Sequence, residues 1–215
     1  MIGLLQVYNR LYSSLGPQHW WPAETPFEVM IGAILTQNTN WANVEKAIRN
    51  LKRNKLLYPQ GIHRASNNRL ALLIKPAGYF NVKTRRLKSF LKYFIGTYQA
   101  DIKKMSAVNW VKLREELLSV NGIGPETADS ILLYAFNKPV FVVDAYTRRI
   151  FLRHGYIKQG SSYDNVQNFF MSRLEPNAKL FNEYHALIVK TAKEFCLKNN
   201  PRCGLCPLSK LRKDI

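Results

Sequence analysis

Two helical stretches in the middle of this chain are joined by Val120-Asn121-Gly122-Ile123-Gly124-Pro125, and this junction restricts the fold more than any other segment. Upstream, Trp110, Leu113, Leu117 and Leu118 repeat at helical spacing between about Val108 and Val120. Downstream, a helix begins at Pro125 and carries Ala128, Ile131, Leu132 and Ala135 on one face, until Asn137-Lys138-Pro139 stops it. Gly122 and Gly124 flank one apolar residue, Ile123, which can plug the turn into a core. Glycine admits positive φ and leaves backbone amides uncovered. A tight hairpin that runs into a helix N-terminus turns amides and the positive helix end outward, which suits a phosphate group. Taken alone, such a turn reads as an ordinary helix–helix connection, so its surroundings decide.

Those surroundings are helical. Thr25-Pro26-Phe27-Glu28 has the form of a capping box with proline at the first helical position. The stretch Phe27 to Leu35 is apolar almost all round, which predicts a deeply buried helix. Asn40 can cap a further helix with Val44, Ala47, Ile48 and Leu51 on one face. Only Val140-Phe141-Val142-Val143 looks extended, and Gly155–Tyr163 and Pro176–Lys179 read as loops. The expected class is therefore all-α, and 215 residues suit one large domain or two small ones.

The chain holds 32 Lys and Arg against 14 Asp and Glu, a formal net charge of +18. Such an excess favours a polyanionic partner, either nucleic acid or an anionic membrane surface. No apolar run reaches the ~18 residues of a membrane span, no basic amphipathic helix supports membrane binding, and Met1 to Arg10 has no secretory-signal pattern. The three cysteines, Cys196, Cys203 and Cys206, form no closed disulfide framework. The expectation is a cytoplasmic, nucleoid-associated protein without a membrane partner.

Beyond the hairpin, the apolar run ends in Asp144, followed by Ala145-Tyr146-Thr147-Arg148-Arg149. This hairpin, helix, apolar run and aspartate resemble the signature of the helix–hairpin–helix, endonuclease III-like DNA glycosylases. Leu35-Thr36-Gln37-Asn38-Thr39 resembles the family segment whose glutamine enters the duplex, and Gly78-Tyr79-Phe80-Asn81-Val82-Lys83 resembles its wedge loop. Cys196-x6-Cys203-x2-Cys206 resembles its iron–sulfur loop. The likeness covers roughly residues 20 to 210, in family order. It implies two lobes: a helical barrel over 27–138 containing the hairpin, and a second lobe made of 1–26 and 139–215.

Within that resemblance Asp144 is the expected catalytic residue. Breaking a glycosidic bond builds positive charge on the sugar, and a carboxylate can stabilise that charge and orient the attacking water. Aspartate is also a favoured N-cap, so Asp144 can do both. Bifunctional members carry a lysine two residues after the second hairpin glycine; here that residue is Glu126, which cannot form an imine. The expectation is a monofunctional glycosylase. Trp20-Trp21-Pro22, Trp41 and Glu126 resemble the 3-methyladenine branch, where such residues border the base pocket. Tryptophan faces attract cationic alkylated purines by stacking and cation–π contact. Mismatch-specific or oxidised-base glycosylases, and a non-catalytic DNA-binding protein, stay open as alternatives.

The expected partner is double-stranded DNA containing a damaged base, bound by a monomer. Expected contacts are Gln37 in the gap left by the flipped base, Tyr79 as wedge, Tyr146, the basic group Lys83, Arg85 and Arg86 on phosphates, and the hairpin's Gly122, Ile123, Gly124 and Thr127. A monovalent cation at the hairpin is a family feature. The resemblance also implies a [4Fe–4S] cluster on four cysteines, but the fourth position falls on Arg212. Loss of the cluster, a non-cysteine fourth ligand such as Asp214, and zinc on the three thiolates are the open readings, with loss or lability preferred for this degenerate loop at 196–212.

Overall fold

The computed structural model describes residues 3–18, 20 and 23–209, and the chain divides into two compact units, Ala23–Phe136 and Met1–Pro22 with Asn137–Ile215. The described residues are helical and contain no β-strand.

In the Ala23–Phe136 unit, helix α2 (Pro26–Leu35) is the central element, and every residue from Phe27 to Leu35 is buried. Its entry follows the local chemistry. Thr25 caps it by accepting from the Glu28 amide, and Pro26 occupies the first turn, where its missing N–H is no loss. The Glu28 carboxylate reaches back to the Glu24 amide rather than to Thr25, and also accepts Lys52 at 2.9 Å. Around α2 pack α3 (Trp41–Arg53) and α6 (Phe80–Tyr98). Asn40 caps α3 as its sequence suggests, and Val44, Ala47, Ile48 and Leu51 are its buried face. Phe27, Phe90 and Phe94 form a stacked series, with ring centroids 6.3 and 5.9 Å apart. Each such buried aromatic contributes about 1.5–3 kcal/mol of burial energy.

Helices α7 (Ile102–Ser106), α8 (Trp110–Ser119) and α9 (Pro125–Ser130) lead into and out of the hairpin, after two short helices, α4 (Pro59–Arg64) and α5 (Asn67–Leu73). Arg114 on α8 grips the fully buried Asp129 on α9 with two hydrogen bonds of 2.7 and 3.2 Å, which ties the two arms of the hairpin together. Beyond α9 the helix widens into one π-helical turn, Ile131–Ala135. This changes the face expected from sequence. Ile131, Leu132 and Leu133 are all buried while Ala135 is only half-buried, because the extra residue in the turn rotates Leu133 inward and Ala135 outward.

The other unit contains α1 (Leu4–Leu15), α10 (Ala145–Arg153), α11 (Tyr163–Met171) and α12 (Ala178–Glu194). Its core is aromatic: Phe141 stacks on Phe170 at 4.0 Å and meets Phe181 and Tyr184 edge-on. The Tyr184 hydroxyl donates to the Leu4 carbonyl at 2.9 Å, fastening α1 to α12. Residues Val140 to Val143 are buried but form no strand. They have no strand partner; instead Gln167 donates to the Phe141 carbonyl at 2.8 Å and the Val143 amide donates to the Tyr163 hydroxyl at 3.3 Å. Side chains thus satisfy backbone groups that a sheet would otherwise pair.

Candidate active site and DNA-contact residues

The hairpin is built as its residues dictate. Gly122 has φ +88°, the left-handed region that glycine tolerates. A Cβ there would lie 2.3 Å from Arg86 Cγ, so the residue is fixed both by conformation and by a close approach. Gly124 is extended, with open space where a Cβ would stand. Ile123 is 5% exposed and plugs the turn from below.

Gln37 joins this hairpin. Its Nε2 donates to the Gly122 carbonyl at 3.0 Å and to the Thr127 hydroxyl at 2.9 Å, and its Oε1 accepts from Arg86. The expected phosphate role of Lys83 is corrected. Lys83 is 1% exposed, and its ammonium donates to the carbonyls of Leu35 at 2.8 Å and Ala77 at 2.7 Å. It cannot reach a phosphate; it braces the end of α2 against the loop before α6. Burial, followed by the nearby Arg86 charge, pushes its amine down to about 8. Arg86 is half-buried on Gln37, whereas Arg85 is exposed. Tyr79 lies in the left-handed region at φ 46° and is 68% exposed, so the loop presents its ring outward.

Asp144 caps α10. One carboxylate oxygen accepts the Thr147 amide at 2.7 Å, and the other lies 3.5 Å from Nε2 of His185 on α12. Burial alone pushes this carboxyl up, but the His185 imidazole and the Thr147 amide outweigh it and hold it below the usual carboxylate range. An ionised carboxylate is what stabilisation of a positive sugar requires. Trp20 stands edge-on to His185 at 6.3 Å, and its indole N–H is buried with no partner among the described residues. Tyr146 follows, with the Arg149 guanidinium 5.1 Å over its ring. His185 was absent from the sequence expectations. Its signal was a single polar side chain inside the buried run from Tyr184 to Val189, easily taken for a packed core histidine.

The expected pocket residues distribute between the units: Trp20 in one, Trp41 and Glu126 in the other. Trp41 is half-buried and its indole donates to Glu45 at 2.9 Å, while Glu126 is exposed in the first turn of α9. Trp21, Pro22, Arg212 and Asp214 lie outside the described residues.

Cys196, Cys203 and Cys206 are free thiols that line one cavity of about 300 Å³ with Arg153 and His154. Burial raises the Cys206 thiol, with the other two cysteines adding to the effect. Among the described residues no three His, Cys, Asp or Glu side chains are placed to hold a metal ion. With three thiols and no fourth cysteine in the sequence, this set does not fit a four-thiolate cluster. The loop is instead fastened by arginines. Arg149 donates to the carbonyls of Cys196 and Ala192, and Arg153 to those of Leu197 and Lys198. At the hairpin, the carbonyls of Val120 and Gly122 already accept hydrogen bonds from Ile123 and Gln37, so a cation there would share them.

The family profile of HhH-GPD superfamily base excision DNA repair proteins matches residues 31–176. The chain is 46% identical to MJ1434, a candidate DNA repair glycosylase of Methanocaldococcus jannaschii, over 95% of this chain and 93% of that one. Among solved structures, the 3-methyladenine DNA glycosylase MagIII of H. pylori, bound to 1,N6-ethenoadenine, is 30% identical with a TM-score of 0.78, covering 90% of this chain and 98% of the other. A non-covalent endonuclease III–DNA complex matches with a TM-score of 0.84 at 22% identity, over 99% and 96% of the two chains, which shows the shared fold. With the hairpin, the helix-capping aspartate and the all-helical fold in place, the chain belongs to the HhH-GPD superfamily of base excision repair proteins and is a DNA glycosylase of endonuclease III-like fold.

Proposed function

We propose that the chain is a monofunctional glycosylase that acts as a monomer on double-stranded DNA and hydrolyses the N-glycosidic bond of a flipped alkylated purine such as 3-methyladenine. The observation that carries this reading is Asp144, a half-buried carboxylate held below the usual carboxylate range, with one oxygen capping α10 and the other beside His185. As the C1′–N bond breaks, its electron pair leaves with the base and positive charge builds on the sugar. Asp144 stabilises that charge and orients a water, whose oxygen bonds to C1′ while its proton passes to the carboxylate. An alkylated, cationic purine leaves as a neutral base, so the site needs no strong acid. Glu126 in place of an amine supports hydrolysis over imine chemistry. The aromatic residues Trp20 and Trp41, and the 30% identity to an enzyme named for 3-methyladenine, support the purine.

The test is base release from duplexes carrying methylated purine, 1,N6-ethenoadenine, a uracil mismatch, thymine glycol or an A·8-oxoguanine pair, by the wild type and Asp144→Asn. The expected result is release of alkylated purine by wild type, loss of about 10²–10⁴-fold in the variant, and strand breaks only after alkali. Covalent trapping by borohydride at enzyme stoichiometry refutes the monofunctional mechanism. Release of uracil or an oxidised base instead keeps the fold and mechanism and overturns the purine assignment.

A further inference from the structure

Four cations outside the candidate DNA contacts meet at one cavity beside and just after the later turns of α10. Arg148, Arg149, Arg153 and Lys158 line one cavity of about 390 Å³, with Leu152, Ile157, Gln159 and Gly160 completing its wall. No carboxylate lines it, and among the described residues none of the four cations takes part in an ion pair. Cations gathered in one partly buried space repel one another unless an anion joins them.

The guanidinium groups are also held in place. Arg148 donates through Nη1 to the Ser161 carbonyl at 2.6 Å. Arg149 donates through Nε and Nη2 to the carbonyls of Cys196 at 2.8 Å and Ala192 at 3.1 Å, with its guanidinium carbon 5.1 Å over the Tyr146 ring. Arg153 donates through Nη1 and Nη2 to the carbonyls of Leu197 at 2.7 Å and Lys198 at 2.8 Å. These main-chain oxygens fix orientation without cancelling charge. A guanidinium has five N–H groups, so Arg148 and Arg149 keep donors in reserve. Immobilised forks with spare donors and no counter-charge among the described residues are suited to phosphate oxygens.

We propose that this cavity is a phosphate-binding site for a DNA strand, in addition to the hairpin, with Arg148 and Lys158 supplying its free donors and Arg149 and Arg153 its wall. The chain's membership in a DNA repair family favours a nucleic-acid phosphate over a free one, and the proposal does not depend on the lesion or on the role of Asp144. Placement along α10 agrees. Arg148 stands one helical turn beyond Asp144, a rise of about 6 Å. A nucleotide presented at Asp144 would bring neighbouring phosphates toward this cavity.

The experiment is equilibrium binding of the full chain to a short duplex carrying a stable abasic analogue, repeated across a salt series. Each phosphate contact contributes about 0.9 to the slope of log K against log[salt]. The double variant Arg148→Gln/Lys158→Gln should therefore lower the slope by about 1.8 while melting at the wild-type temperature. The charge-keeping variant Arg148→Lys/Lys158→Arg should restore most of it. An unchanged slope in the first variant, with the wild type still binding in a salt-dependent way, overturns the site. Inorganic phosphate that protects the wild type against thermal unfolding, but not the double variant, with slopes equal in both, identifies a free-phosphate site and overturns the assignment to DNA. Salt-independent or absent binding by the wild type refutes the DNA-binding reading itself.

Discussion

Lys83 offers a measurement in which one buried charge can be isolated. Its side chain is 1% exposed, and burial followed by the Arg86 charge lowers its amine from 10.5 to about 8. The unfolded chain therefore holds this proton over a range in which the folded chain has released it. Stability then rises with pH between the two values, because the unfolded state binds more protons there. Linkage over the interval from about pH 7 to about pH 10 gives roughly 2.5 kcal/mol from this group. In Lys83→Met the same interval contributes nothing from position 83. The variant also leaves the carbonyls of Leu35 and Ala77 without their donor, a penalty of about 1–3 kcal/mol each that does not change with pH. Urea unfolding of both proteins at the two pH values should show the wild type gaining about 2.5 kcal/mol over the variant at the higher pH. Every other titrating group cancels in that comparison. A stability difference that stays flat with pH would refute the claim that a desolvated ammonium joins the Gln37 segment to the Tyr79 loop.

Three further outcomes follow from the geometry. His185→Asn removes the imidazole that helps hold the Asp144 carboxyl below its usual range, so the acidic limb of the single-turnover rate should move to higher pH; the ratio of rates at about pH 5 and about pH 7.5 reads this, given an ordinary carboxylate near 4. Gly122→Ala places a side chain at φ +88° and within 2.3 Å of Arg86 Cγ. The left-handed backbone alone costs ~1–2 kcal/mol, and displaced Arg86 should release Gln37, so a melting scan and a DNA titration should both register the change. Arg114→Met withdraws a bidentate partner from the fully buried Asp129, with an expected loss of about 3 kcal/mol in denaturant unfolding.

Much of the architecture could be read along the chain because its signals are local. Thr25 and Asn40 cap helices where their side chains and the following apolar spacing place them, and Gly122 takes the positive φ that a tight hairpin needs. The position of Asp144, where an apolar run ends and a helix begins, marked it as an N-cap, and only the resemblance to the glycosylase signature singled it out for chemistry. What stayed hidden depends on contacts between distant residues. Lys83 looked like a surface cation beside Arg85 and Arg86, but its register on α6 turns it inward to two carbonyls that sequence does not display. His185 lies far along the chain from Asp144 and meets it only once α10 and α12 have packed. The run from Val140 to Val143 misled in a different way: β-branched residues favour extended backbone, but a strand needs a neighbour, and here Gln167 and Tyr163 take that part.

The π-helical turn at Ile131–Ala135 has a consequence for how this chain tolerates changes in length. Deleting a residue from a regular α-helix swings everything beyond it by about 100°, which would rotate an apolar face away from its packing partners. Here the helix already carries one residue more than α-helical pairing requires. A single deletion within that turn can tighten it to ordinary α-helix and leave the flanking segments in phase, with α9 and the hairpin on one side and Phe136 on the other. The same loss within α2 or α6 has no such slack to absorb it.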